Sequence, residues 1–437
     1  MSLEANKIGQ TTPEAIDEKW FDRIAELSIS AFELLDGDKE TRSREKTQFL
    51  NGEKVNPTLD YPQLTEFPFD EHEAALMNLK FDILKDEEDS VVVEIYKTKI
   101  NEILAELRML RMARGGQDNK FCAYSKFVYG RPSAENVSIM SGILRDKVSL
   151  GSGDENKNSS VSEFINLLEN VPPSGFEQES LVGGAGLKGR VSSVEEVESA
   201  FQAALDEIGA TDWKIVLHSN TSITNLRVSQ KNKEVSIPLE QASTMLNRLL
   251  QGFIQHEVFG HVRRRVEGER TKLKLLGLGF DRVEKGEEGV ATYLEQQVTG
   301  AEHFSHPQRY FAIALAIGEI DGIKRDFRQT FEILKLYYIS TLKSGSDLEE
   351  RAINSAWTLA VRVFRGTTGT TPGAVFTKDL NYFVGNKETW SLVNTDSNIV
   401  QYFSVGKFDA YNARHVGWLV QLGITDEKLA EILDAVQ

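Results

Sequence analysis

Apolar side chains recur at helical spacing through much of the N-terminal part of the chain. Residues 13–35 place them three or four positions apart, and the threonine before the first proline is a typical helix start. Residues 91–112 repeat this period over a longer stripe, which predicts an amphipathic helix. The polar, turn-rich stretch 36–61 between them predicts a loop or linker.

The hydrophobic period changes in the middle of the chain. Three short strands are predicted at residues 213–217, 223–228 and 234–237. Pro238 then opens a helix that is predicted to run from about residue 239 to beyond His261. Further helices are predicted at residues 289–298, 309–342, 348–364 and 426–435. A small sheet among many helices predicts an α+β fold that is predominantly helical.

Low-complexity and proline-rich stretches indicate how the chain is divided. Residues 151–160 (GSGDENKNSS) and 172–189 have the composition of flexible loops. We therefore expect a helical extension and linker at residues 1–62, followed by one large domain at 63–437. Within that domain we expect a helical lobe at 63–150, a flexible insertion at 151–190 and a catalytic core at 191–437.

Composition and charge exclude several classes of protein. Apolar residues make up 40% and charged residues 27% of the chain, which is ordinary for a globular protein. The formal charge of −16 argues against nucleic acid as a partner. The most apolar run, residues 310–317, is too short to span a bilayer, and the first residues show no signal peptide. The single cysteine, Cys122, fits a reducing compartment, so we expect a cytoplasmic protein with no membrane partner.

Residues 256–261 (HEVFGH) have the residue types of a metallopeptidase centre. A catalytic zinc takes three protein ligands and leaves one position for water, and Glu257 is placed to accept a proton from that water. The two histidines are five residues apart, which separates side chains by about 140° on an ideal α-helix. His256 and His261 can still reach one metal if the helix widens into a π-bulge, which Gly260 would ease. A small sheet followed by such a helix predicts a zincin-like metallopeptidase.

The third metal ligand is expected in residues 286–291 (GEEGVA), at the start of the next predicted helix. Glu288 is the first candidate because the small residues after it would allow a close approach to the metal. Glu287 competes with it, and Glu295 is a weaker alternative. Carboxylates at this place also have a purely structural explanation, since they complement the helix dipole.

These two segments together resemble the tyrosine/phenylalanine carboxypeptidase family, to which a microtubule-associated tyrosine carboxypeptidase belongs. Residues 121–132 (FCAYSKFVYGRP), 361–385 (VRVFRGTTGTTPGAVFTKDLNYFVG) and 404–407 (SVGK) resemble further family segments, so the resemblance covers roughly residues 80–425. It implies a Zn²⁺ ion bound by His256, His261 and Glu288, with Glu257 as general base. It also implies that a C-terminal peptide bond is hydrolysed, releasing tyrosine or phenylalanine.

The chain departs from the family pattern at two places. Residues 259–260 are Phe-Gly, where family members usually carry Gly-Thr before the second histidine. The family's Gln-Glu-Gly-Leu-Ala motif is Glu-Glu-Gly-Val-Ala at residues 287–291. The second departure is conservative, whereas the first is expected to change the packing beside the metal.

A carboxypeptidase must also hold the terminal carboxylate of its substrate, and a bidentate arginine does this best. Arg365, in a Gly/Thr-rich segment, is the first candidate, with Lys378 and Arg362 as alternatives. The competing explanation for Arg365 is an internal ion pair with Asp379.

Several ring side chains are candidates for the remaining roles. Tyr382 and Tyr129 are candidates for donating a hydroxyl to the developing oxyanion. With Phe259 and Phe376 they are also candidates for the walls of a pocket that accepts an aromatic residue, although such side chains more often belong to a core. His306 is expected at the surface rather than at a second metal site.

Three functions are compatible with these residues. The leading one is a zinc carboxypeptidase that acts on a peptide or protein C-terminus. The alternatives are a catalytically silent zinc-binding regulatory protein and a zinc endopeptidase or aminopeptidase. Glu257 argues against the silent protein, because a structural zinc site needs no base and usually fills all four positions. The cations Arg365 and Lys378 favour carboxylate capture over the binding of a free amine.

Overall fold

Helices form most of the N-terminal part of the computed structural model, which describes residues 14–150, 157–173, 190–219 and 226–437. They are α1 (Glu18–Leu27), α2 (Ala31–Leu34), α3 (Lys39–Leu50), α4 (Phe69–Asp86), α5 (Ser90–Arg114), α6 (Asp118–Tyr129), α7 (Ala134–Ser149), α8 (Asn158–Leu168) and α9 (Val194–Glu207). A 3₁₀ turn, Pro62–Leu64, precedes α4. Helix α5 confirms the helix predicted at residues 91–112. The helical pattern of residues 13–35 yields two helices, and residue 13 lies outside the described residues.

The loop predicted at residues 36–61 instead contains α3. This helix is almost entirely polar, so it has no hydrophobic period by which it could be recognised. Asp38 caps it by accepting the Thr41 N–H at 2.8 Å. Phe49 anchors it, because its ring lies 5.3 Å from that of Phe327 and 5.0 Å from that of Phe331.

A three-stranded sheet follows α9. Its strands are β1 (Lys214–His218), β2 (Arg227–Ser229) and β3 (Glu234–Pro238), in the order β1-β3-β2. β1 runs parallel to β3 with Lys214 opposite Glu234, and β2 runs antiparallel to β3. The strand predicted at 223–228 is described only from residue 226, because residues 220–225 lie outside the described part. Of the insertion predicted at 151–190, residues 151–156 and 174–189 also lie outside it, and α8 occupies the described remainder.

The second half of the chain is helical again. Its helices are α10 (Leu239–Thr244), α11 (Asn247–Phe253), a π-helix (Ile254–Val262), α12 (Arg263–Arg270), α13 (Leu275–Leu278), α14 (Glu284–Thr299), α15 (Pro307–Ile317), α16 (Phe327–Thr341), α17 (Leu348–Phe364), α18 (Leu380–Thr395), a 3₁₀ helix (Ser397–Tyr402), α19 (Ala413–Gln421) and α20 (Lys428–Asp434). The predominantly helical fold with a small sheet is thus as predicted. No helix among the described residues is both long enough and apolar enough to cross a membrane.

Two of the helices predicted in the second half of the chain are interrupted. The helix expected from residue 239 past the histidines breaks at Met245, whose backbone is extended and whose carbonyl accepts the Ser192 N–H at 2.8 Å. The adjacent Leu246 forms an isolated β-bridge with Val191. The helix expected at 309–342 ends at Gly318, which takes a left-handed φ of +96°, and the chain resumes as α16.

The buried apolar residues form two clusters. The smaller one is built from α9, the sheet and the helices from α10 to α12, and it includes Val258 and Val262 of the π-helix. The larger one takes in the remaining helices and includes Val290 and Tyr293 of α14. The π-helix packs against α14, so the histidines lie where the two clusters meet.

Candidate functional site

The two histidines lie on the π-helix Ile254–Val262. The N–H of Arg263 donates to the carbonyl of Val258, five residues earlier, as in the i→i+5 pattern of a π-helix. Five residues then make about one turn, so His256 and His261 project from the same face. Their ring centroids are 5.0 Å apart. This wider turn is what the five-residue spacing requires.

Gly260 lets the π-helix come close to α14. A Cβ atom on Gly260 would lie 2.8 Å from the Cβ and 2.9 Å from the Cα of Ala291. Any larger residue would push the two helices apart or distort the π-turn. The departure from the family pattern at residues 259–260 therefore has a packing role, and the Phe259 ring packs against the smaller apolar cluster.

A second glycine contact fixes α14 from the other side. A Cβ atom on Gly289 would lie 2.4 Å from the carbonyl oxygen of Gly385 in α18. The motif at residues 287–291 therefore combines two carboxylates with two small residues, Gly289 against α18 and Ala291 against the π-helix. Sandwiched in this way, α14 directs Glu288 toward the histidines.

Glu288 brings a carboxylate oxygen to both imidazoles. Its Oε2 atom lies 3.6 Å from Nε2 of His256 and 3.9 Å from Nε2 of His261. One potential ligand atom from each residue falls within 4.8 Å of the other two, a grouping that suits a single metal ion. The Oε2 atom is buried and has no hydrogen-bond partner among the described residues, as fits a carboxylate oxygen that could ligate a cation.

The opposite nitrogen of each imidazole is held by another carboxylate. Nδ1 of His256 lies 3.0 Å from Oε2 of Glu295, and Nδ1 of His261 lies 2.9 Å from Oε1 of Glu287. Lys407 in turn binds Oε1 of Glu287 at 2.6 Å. Such carboxylate–histidine pairs fix the tautomer and leave both Nε2 atoms free to ligate a metal. Glu287 and Glu295, the competing candidates for the third ligand, therefore bind the Nδ1 atoms, on the side of each imidazole ring opposite to Nε2.

Electrostatics make this cluster attractive to a cation. Burial works to lower the pKa of His256, but the carboxylates of Glu288 and Glu295 outweigh it and raise that pKa well above its ordinary value. Burial raises the pKa of Glu257, opposed by the two imidazoles. Two imidazoles and a carboxylate are the donor set of many catalytic zinc sites. The residues present thus fit a bound zinc ion.

The first candidate for carboxylate binding, Arg365, points to the N-terminal helices. It pairs with Asp36 at 3.4 Å, and its guanidinium lies 3.8 Å from the centroid of the Phe32 ring. Asp379 binds Arg362 instead, through two hydrogen bonds of 2.6 and 2.8 Å. The ion pair considered as the competing explanation therefore forms with a different arginine.

The second candidate, Lys378, is also engaged. Its ammonium donates to Glu284 at 2.8 Å and lies 5.7 Å from the centroid of the Tyr129 ring. The Tyr129 hydroxyl donates to Glu106 at 2.6 Å, and the Tyr129 ring belongs to the larger of the two apolar clusters. Phe376 packs on the Tyr129 ring at 5.3 Å. The oxyanion and pocket roles considered for Tyr129 and Phe376 are not favoured by these contacts.

Tyr382 lies near the start of α18, one turn before the Gly385 that packs against Gly289. It is therefore close to His256, His261 and Glu288, the candidate metal-binding cluster. Burial raises the pKa of its hydroxyl, and the charge of Glu288 raises it further. The ring of His306 packs against Tyr382 at 5.2 Å and 90°. Burial, Arg309 and His256 all lower the pKa of His306. The expectation of a surface histidine is therefore wrong for His306, which is partly buried at the site.

The sequence indicated Glu295 only as a weaker candidate for the third ligand, whereas its carboxylate contacts Nδ1 of His256. Its place seven residues, about two turns, after Glu288 was a usable signal for a position on the same face. The roles of His306 and Arg309 gave no such signal. His306 takes a left-handed φ of +53° before Pro307, and only this turn brings α15 to Tyr382.

Comparison with protein families gives one match. A family model described as microtubule-associated tyrosine carboxypeptidase matches residues 187–429, more than half of the chain. The match includes the π-helix, α14 and residues 361–385, whereas the segment 121–132 lies outside it. Searches of curated proteins and of solved structures found no match. The chain belongs to the microtubule-associated tyrosine carboxypeptidase family.

Proposed function

We propose that this protein is a zinc-dependent carboxypeptidase with a zincin-like catalytic core that removes a C-terminal tyrosine or phenylalanine. The observation that carries the proposal is the convergence of His256, His261 and Glu288 on one point, with a buried oxygen on Glu288 that no described group hydrogen-bonds. Membership of a carboxypeptidase family supports the reaction type. The family's name supports a protein C-terminus ending in tyrosine as the substrate class.

Glu257 is the residue that we assign to proton transfer. It adjoins His256 on the π-helix, and burial raises the pKa of its carboxyl toward the range in which an acid–base group works at neutral pH. Its carboxylate accepts a proton from the attacking water and passes that proton to the leaving amine. A bound zinc would supply Lewis-acid polarisation of the scissile carbonyl.

The metal site is tested first, by metal analysis of the purified wild type, H256A and H303A. We expect about one zinc per chain in the wild type and in H303A, because His303 lies outside the cluster. H256A should lose the metal, since two ligands hold zinc far more weakly than three. Unchanged zinc in H256A would contradict the proposal.

Turnover is tested by mass spectrometry on peptides that end in tyrosine, phenylalanine or lysine. We expect the wild type to release one residue from the first two peptides. E257Q should keep its zinc and lose activity by about 10²–10⁴-fold, because an amide cannot accept the proton. E198Q, a change at an exposed position of α9, should behave as the wild type.

The two alternatives have distinct outcomes in the same experiment. Internal cleavage of the peptides would identify an endopeptidase, and loss of residues from the N-terminus would identify an aminopeptidase. Zinc binding without any cleavage would identify the catalytically silent protein.

A further inference from the structure

The cations that act on Tyr382 differ in what balances their charge. Arg362 is balanced by Asp379, which uses both carboxylate oxygens to accept from it. Arg309, in the first turn of α15, forms no ion pair with any described carboxylate. Its guanidinium carbon lies 4.6 Å from the centroid of the Tyr382 ring. The charge of Arg309 acts on the carboxylate of Asp379, but both oxygens of that carboxylate already accept from Arg362.

Arg309 and the metal-binding cluster are linked through two intervening side chains. The charges of Glu288 and Arg309 act in opposite directions on the pKa of Tyr382, so the hydroxyl lies under the influence of both. Burial lowers the pKa of His306, and the charge of Arg309 lowers it further, which favours the neutral imidazole. Tyr382 lies one turn before Gly385 in α18, and Gly385 packs against Gly289, the neighbour of Glu288, so the ring that Arg309 stacks on lies close to the cluster.

Stacking on Tyr382 suits Arg309 to bind an anion. A guanidinium that lies on a ring face keeps its N–H groups in its own plane, where they can donate to a carboxylate in bidentate fashion. The carboxylate would also give Arg309 the direct ion pair that it lacks among the described residues. Arg365 and Lys378 would first have to release Asp36 and Glu284.

We propose that Arg309 binds the terminal carboxylate of the substrate, held in place by the Tyr382 ring. This inference rests on the proposed carboxypeptidase function, since it assigns the residue that recognises a free chain end. It also makes Arg309, rather than Arg365 or Lys378, the residue that separates removal of a terminal residue from internal cleavage.

The test compares binding of two peptides that differ only at the C-terminus. The peptides end in tyrosine, one as the free acid and one as the amide, and bind to zinc-loaded E257Q so that neither is cleaved. Calorimetry should give a preference for the acid of about tenfold to a hundredfold in E257Q. The preference should vanish in E257Q/R309M and persist in E257Q/R44M, which changes an exposed arginine of α3.

A second variant guards against misfolding. If R309M loses its zinc or its circular dichroism spectrum, E257Q/R309K retains the charge and should show a reduced preference, because lysine lacks the planar fork. An undiminished acid preference in whichever variant folds overturns the proposal. Equal binding of acid and amide by E257Q itself also overturns it.

Failure of this inference and failure of the proposed function are distinguishable. If the wild type removes the C-terminal residue but the acid preference does not depend on Arg309, the proposed carboxypeptidase function holds and the role of Arg309 does not. If the acid preference depends on Arg309 but the wild type cleaves no peptide, the protein binds free C-termini and is not a carboxypeptidase.

Discussion

Lys407 ends a series of contacts that leads to the metal-binding cluster. Its ammonium binds Oε1 of Glu287, and the same oxygen holds Nδ1 of His261. Burial alone would raise the pKa of Glu287, but Lys407 and His261 outweigh it, so the pKa of Glu287 falls well below its usual range. A buried, charged carboxylate is thus available to fix the imidazole.

Replacing Lys407 by methionine should weaken zinc binding without removing a ligand. Glu287 would lose the cation that balances it in the interior, and His261 would lose its fixed orientation. We expect zinc affinity, measured by competition with a chelator, to fall about 10–100-fold. K387M removes a pair with the exposed Glu135 and should change zinc affinity little. Equal affinities in K407M and K387M would show that the contact is dispensable.

At the same scale, the sequence predicts which residues form the His256, His261 and Glu288 cluster better than it predicts ion-pair partners. The order His-Glu, the five-residue spacing and a downstream Glu-Gly are local, so His256, His261 and Glu288 could be named from them. Which cation stays unpaired depends on contacts far apart in the chain. Arg365 is neutralised by Asp36, some 330 residues earlier, and no local pattern records such a pair.

At the scale of elements, the crossing of the π-helix and α14 depends on a glycine. G260A should destabilise the protein by about 1–3 kcal/mol, because the added methyl group would overlap Ala291. Zinc affinity should fall as well, since His261 and Glu288 would be pushed apart. Chemical denaturation and chelator competition measure the two effects.

The matched control for this prediction is G142A, in α7. A Cβ atom there meets no atom of the described part of the chain within 4 Å, so alanine should be neutral or stabilise the helix by up to about 1 kcal/mol. If G260A behaved like G142A in both measurements, close packing of the two helices would not be needed for the site.

Elements with a strong hydrophobic period were predictable, and the others were not. Residues 348–364 and 91–112 carry such a period and form α17 and α5. Helix α3 has almost no apolar side chains. It is stabilised by its N-cap, Asp38, and by Phe49, whose ring packs on rings that are distant in the sequence. The break at Met245 is likewise tertiary, because its carbonyl pairs with Ser192 instead of continuing the helix.

At the scale of the whole molecule, one buried carboxyl links stability to pH. Burial and repulsion by Glu102 raise the pKa of Glu106 to about 7, against the hydrogen bond from Tyr129 and the charge of Lys378. The ordinary value is 4.5, so between these two pH values the folded chain holds a proton that the unfolded chain has released. The contribution of this carboxyl to the free energy of unfolding therefore falls as pH rises from about 4.5 to about 7.

E106Q should remove this part of the pH dependence. Glutamine cannot ionise, yet its amide oxygen can still accept the Tyr129 hydroxyl. We expect the loss of unfolding free energy between pH 5 and pH 8 to be smaller in E106Q than in the wild type by about 1–3 kcal/mol. Urea denaturation with chelator present measures it, so that metal binding does not contribute. E349Q, at the surface, should follow the wild type, and an E106Q curve parallel to the wild-type curve would show that Glu106 stays ionised in the folded chain.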